Sequence, residues 1–81
     1  MDGTIDAPPS LHREGLLIKL DRAIEIDPRN AATYNDRGIA RHAEGDGEGA
    51  IEDYDRAIEI DPRFALAYYN RGNLRLMTGD L

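Results

Sequence analysis

The sequence predicts an all-α fold, a solenoid of antiparallel helix pairs about four helices long. Three observations predict it. First, the nine residues DRAIEIDPR occur at Asp21 to Arg29 and again at Asp55 to Arg63, an offset of 34 residues. Sixteen of the 27 positions from Asp21 to Gly47 are identical at that offset, among them Tyr34 with Tyr68, Arg37 with Arg71 and Gly38 with Gly72. A fixed period of this size marks one supersecondary unit, stacked because a single copy cannot bury its own apolar face. Second, the apolar residues between turn signals recur at helical spacing. Third, the connections are so short that consecutive helices must lie antiparallel.

The elements follow in order. Residues 1–10, MDGTIDAPPS, carry glycine and proline but no period, and are expected as a flexible lead with Ser10 capping the first helix. From Leu11 to about Ile26, the residues Leu16, Leu17, Leu20, Ala23 and Ile24 make one stripe. Pro28 lacks a backbone N–H and pushes Asp27 out of the helical region, so the helix stops there. Asn30 caps a second helix, Ala31 to about Glu44, which closes at Gly45 in a left-handed conformation that costs glycine nothing. Asp46 caps a third, about Gly47 to Ile60, with Ala50, Ile51, Tyr54, Ala57 and Ile58 as its stripe and Glu48, Glu52, Asp55 and Glu59 toward water. Pro62 ends it, and Ala65 to about Thr78 repeats the second helix. Gly38 and Gly72 each follow a tyrosine by four residues on one face, which predicts a neighbouring helix almost touching backbone while Tyr34 or Tyr68 fills the space beside it.

Composition narrows the function. An 81-residue chain makes one small domain, and 41% apolar with 32% charged residues suits soluble helices. No apolar run approaches the roughly 18 residues of a membrane span, so no membrane partner is expected. The opening Met1-Asp2 is unlike a secretory signal, which makes the cytoplasm the expected compartment. A net charge of -6 argues against a nucleic-acid surface. The absence of cysteine excludes disulfides and thiolate zinc sites. Glu44, Asp46, Glu48, Gly49, Ile51 and Asp55 reproduce the spacing of a calcium loop, but residues 50–55 fall in a regular helix that cannot wrap an ion. No catalytic set is visible: His12 and His42 lie on different helices, and Ser10 is the only serine. The expectation is no cofactor, no metal and no enzymatic activity.

A 34-residue unit with an aromatic, glycine four later, Gly-Asp, an alanine-spaced second helix and Asp-Pro resembles the tetratricopeptide repeat. The motif falls on Tyr34, Gly38, Ala50, Tyr54, Ala57 and Pro62 for one complete repeat, residues 31–64, on Tyr68 and Gly72 for the start of the next, and on Leu16, Leu20, Ala23 and Pro28 for the end of the one before. The resemblance implies a right-handed α-α superhelix in which residues 11–30 are a second helix alone and residues 65–81 a first helix alone. It departs in two places. Arg37, Arg41, Arg71 and Arg75 replace Leu and Tyr usual on the packing face, and a guanidinium near a core must find carboxylates. Asp21 and Asp55, with Asp53 and Glu25 nearby, are the expected partners. Gly47 stands where an aromatic is common, and Gly47 and Gly49 each cost roughly 1 kcal/mol against alanine in a helix, which predicts a soft turn.

The resemblance implies a protein-binding or scaffolding module whose first helices line a concave face. That face is expected to hold Ala32, Asn35, Ile39, His42 and Ala43, with Leu66, Tyr69, Asn73, Leu76 and Met77. Asn35 and Asn73 would grip a peptide or partner helix while the apolar residues take its side chains. Some members of the family clamp the C-terminal carboxylate of heat-shock chaperones with Lys, Asn and Arg. The matching positions, Asn35, Asp36, Ile39, Leu66 and Asn70, contain no cation, which disfavours that ligand. Two alternatives stay open. The chain would serve as an accessory segment of a larger enzyme, or the apolar faces of its terminal helices would stack head to tail between copies.

Overall fold

The computed structural model describes residues 9–79, with side chains from Gly15 onward. Among the described residues there are four helices and no strand: α1 (Pro9–Ile26), α2 (Ala31–Ala43), α3 (Gly47–Ile60) and α4 (Ala65–Thr78). Each packs on the next in sequence, and α2 also touches α4. The start of α1 corrects the expected boundary. Ser10 is inside the helix, because Pro9 suits a first helical position where no N–H is required. The rest of the expected lead, residues 1–8, lies outside the described residues.

The repeated Asp-Pro-Arg segment ends α1 and α3 in the same way. The carboxylate of Asp27 accepts the Arg29 N–H at 3.2 Å, and that of Asp61 accepts the Arg63 N–H at 3.0 Å. Helix α2 starts with the Asn30 side chain accepting from the Thr33 N–H and ends at Gly45, whose φ is 89°. The N–H of Gly45 reaches the His42 carbonyl and that of Asp46 the Arg41 carbonyl, which satisfies two terminal carbonyls at once. The second copy departs at Phe64, which stands where Asn30 does. It offers no side-chain cap and instead packs against the core.

The core is two small clusters. Tyr34, Ala57 and Ala67 form one, with Ile24, Ile58, Ile60 and Phe64 around it. Ala50, Tyr54 and Leu74 form the other, with Ile51 beside it. Small residues meet large ones across each contact, which close packing requires.

At Gly38 the close neighbour is a ring rather than backbone. A β-carbon there would lie 2.5 Å from Tyr54 Cε1 and 2.8 Å from Cδ1, so Tyr54 of α3 fills the space. Its counterpart Gly72 has nothing within 4 Å, and Tyr68 is 42% exposed. The expected close approach is therefore present at Gly38 and missing at Gly72. Likewise Leu16, expected in a buried stripe, is 48% exposed, whereas Ala50, its counterpart in α3, is fully buried. The two glycines of the third helix differ from each other. Gly49 is buried, its N–H donates to Asp46 Oδ1 at 2.8 Å, and a β-carbon would run into that carboxylate. It is required by the cap rather than a simple weakness. Gly47 opens onto a hollow of about 250 Å³ bounded by Ile51, Leu74, Arg75 and Thr78.

Candidate interaction surface

The arginines of the first copy tie three helices together. Arg37 on α2 donates from Nε and Nη2 to both oxygens of Asp53 on α3, at 2.9 and 2.8 Å, and from Nη1 to Asp21 on α1 at 2.8 Å. Arg41 Nη1 lies 3.2 Å from the same Asp53 carboxylate. Hydrogen bonding to Asp53, against the opposing effect of burial and with further help from Asp21, raises the Arg37 pKa still further, so it stays charged. The Asp53 side chain is only 3% exposed. In the second copy Arg71 Nη1 meets Asp55 at 2.6 Å, the same 16-residue span as Arg37 to Asp21. Arg37 and Arg71 also stand over the rings of Tyr34 and Tyr68, at 5.7 and 5.4 Å. Asp55 is thus partly covered rather than free in water, and Glu25 is exposed.

Arginine-lined space beside α3 is not an anion site. A hollow of about 430 Å³ lies among Arg37, Arg41, Arg56, Glu52, Asp53 and Glu59, so acids match the cations, and every side-chain nitrogen of Arg37 already faces a carboxylate. Of the acids in the calcium-like spacing, Asp46 caps α3 and Asp55 holds Arg71.

The expected concave residues do not all share one environment. Asn35 is 1% exposed, and its side-chain oxygen accepts a hydrogen bond from Asn70 Nδ2 at 3.0 Å. It is a strut between α2 and α4, and its burial corrects the expectation that it grips a peptide. His42 is half-buried, while Ile39 is 45% exposed and Ala32 and Ala43 are also open. On α4, Leu66, Asn73 and Met77 occupy the same helical phase as Ala32, Ile39 and Ala43, and all three are exposed. Tyr69 and Leu76 are exposed at 65% and 62%, yet their counterparts on α2 are the covered Asn35 and half-covered His42. Tyr69 and Leu76 are therefore open where the equivalent positions of α2 are covered or half-covered.

Sequence reasoning named Asp53 only as one nearby acid among the expected partners, and it missed the Asn35–Asn70 bond. Asp53 holds Arg37 and Arg41 together, although it is the one acid of its group without an acidic counterpart 34 residues away, that position being Lys19. The Asn35–Asn70 bond joins residues 35 apart and breaks the period by one. No helix among the described residues is long and apolar enough to cross a membrane. Residues 40–79, from the end of α2 through α4, match the family described as TPR repeat. No curated protein matches the chain.

Proposed function

Since this chain belongs to the tetratricopeptide-repeat family, whose repeats are interaction modules, we propose that it is a non-catalytic scaffold binding an extended peptide or partner helix. The surface is the row of Ala32, Ile39 and Ala43 on α2 with Leu66, Asn73 and Met77 on α4. His42, Tyr69 and Leu76 border it. Residues 31–64 supply the complete repeat, with residues 11–30 and 65–81 as its flanking halves.

One observation carries the reading. Helix α2 has α1, α3 and α4 packed against it, yet Ile39 stays 45% exposed in the middle of that helix. Its exposure is not the consequence of a bare end. A row of apolar side chains kept in water on a packed helix, broken by the amide of Asn73, suits a ligand that offers both side chains and backbone groups.

Selection from a displayed library of random peptides tests this. Enriched peptides should lose at least about tenfold in affinity, roughly 1.4 kcal/mol, with Ile39→Asp or Leu66→Asp. The melting temperature of both variants should stay that of the parent. Binders indifferent to both substitutions would reject the surface.

A further inference from the structure

The turn that joins α2 to α3 carries an Asp-Gly pair, Asp46 and Gly47, and that pair has a chemistry of its own. Where glycine follows aspartate, the glycine's backbone nitrogen can attack the side-chain carboxyl carbon, because no β-carbon crowds the approach and the backbone turns freely. Here the approach is open. Asp46 is exposed, and a β-carbon at Gly47 would meet nothing nearer than Leu74 Cδ1 at 4.0 Å. The Gly47 N–H stands in the first turn of α3, where the helix supplies it no acceptor. By the 34-residue offset the second copy has Asp80 followed by Leu81, whose branched side chain hinders the same attack.

We propose that Asp46 is a site of spontaneous isomerisation to isoaspartate, closed while the first turn of α3 stands and opened when that turn unwinds. The Gly47 nitrogen bonds to Asp46 Cγ, its proton and the carboxyl hydroxyl leave as water, and a succinimide ring results. Water then opens the ring at either carbonyl. Opening at Cγ restores aspartate. Opening at the main-chain carbonyl leaves the chain running through Cβ and Cγ, with a free carboxyl on Cα. The water lost in closing is regained in opening, so mass is unchanged and no other reactant is consumed.

The cap of α3 is the gate. At a ψ of 77° for Asp46, the Gly47 nitrogen lies nearly opposite Cβ about the Cα–C bond, so ring closure requires it to swing round to the side of Cβ. The Asp46 carbonyl swings with it. That carbonyl accepts the Ala50 N–H at 3.0 Å, so the first helical hydrogen bond of α3 must break. The carboxylate must also leave the Gly49 N–H, which it holds at 2.8 Å. Both events belong to a local opening of the turn rather than to unfolding of the chain. Once formed, isoaspartate lengthens the main chain by a methylene at the cap, and neither bond is restored in place. Gly47 and Gly49 are poor helix formers and give the turn little propensity to close again. Ala50 follows them and is fully buried, so the damage reaches the joint of α2 with α3.

Incubation of the intact chain in neutral buffer, with and without denaturing urea, tests this. Trypsin releases Asp46 in residues 42–56 and the chain's other Asp-Gly pair, Asp2 and Gly3, in residues 1–13. Electron-transfer fragmentation tells isoaspartate from aspartate at 46. Isoaspartate there should form at least about tenfold more slowly in the folded chain than in urea, and the slowing should match, to within about tenfold, the protection of the Ala50 N–H against hydrogen exchange. Gly47→Ala should slow the reaction in urea several-fold, and the isolated isoaspartyl chain should melt below the parent. No isoaspartate at 46 in urea, equal rates folded and in urea, or a slowing outside that range of the Ala50 protection would each overturn the proposal. A Gly47→Ala chain that reacts as fast as the parent, or an isoaspartyl chain that melts with it, would do the same.

Discussion

The ring of Tyr54 lies on Gly38, so close that a β-carbon at Gly38 would come within 2.5 Å of Cε1. The contact sets the spacing of α2 and α3. Gly38→Ala should therefore destabilise the fold, since overpacking costs roughly 1–3 kcal/mol and exceeds the gain of about 1 kcal/mol from replacing a helical glycine. Gly72→Ala should keep only the gain. Urea unfolding of the two variants checks the opposite signs.

Asp53 is the buried acid on which Arg37 and Arg41 converge. Asp53→Ala leaves two partly buried guanidiniums without their shared partner, and the expected loss is about 3 kcal/mol. Asp21 is 53% exposed, and Asp21→Asn should cost less than about 1 kcal/mol. The same denaturant measurement separates the two, and equal losses would remove Asp53 from its central place.

Gly47 faces the hollow of about 250 Å³ beside Ile51 and Leu74. Gly47→Leu both improves helix propensity and places apolar atoms in that space, so it should stabilise by about 1 kcal/mol or more. A rise in melting temperature is the expected result.

Burial, with the negative charge of Asp53 adding to it, raises the pKa of the Tyr54 hydroxyl above its ordinary 10. Folded protein then keeps that proton where the unfolded chain has begun to lose it. The linked stability is present below about pH 10 and falls as pH rises further. Melting temperature against pH between about 9 and 11.5 should show the fall, and Tyr54→Phe should reduce it.

Helix limits were legible because they are written in local chemistry. Pro28 and Pro62 end helices, Asn30 and Asp46 cap them, and Gly45 turns the chain, each acting within a few residues. The start of α1 was less legible, since Pro9 and Ser10 suit a helix's first turn as well as the residues before it. Partner choice across helices was the part that local patterns could not give. Asn35 looked like a groove residue until α4, through Asn70, covered it, and Asp53 looked like one acid among several until its position set it between two arginines. The period itself helped most where its copies differ. Asn35 is covered where Tyr69 is open, and Gly38 meets the Tyr54 ring where Gly72 has nothing within 4 Å.

The central claim is that the row on α2 and α4 is where a partner is held. Backbone amide shifts of the isotope-labelled chain, recorded while a selected peptide is added, test it most directly. The expected result is that changes centre on Ala32, Ile39, Leu66 and Asn73 and leave Glu52 and Glu59 of α3 in place. Changes centred on Glu52 and Glu59, with the row on α2 and α4 unmoved, would contradict it.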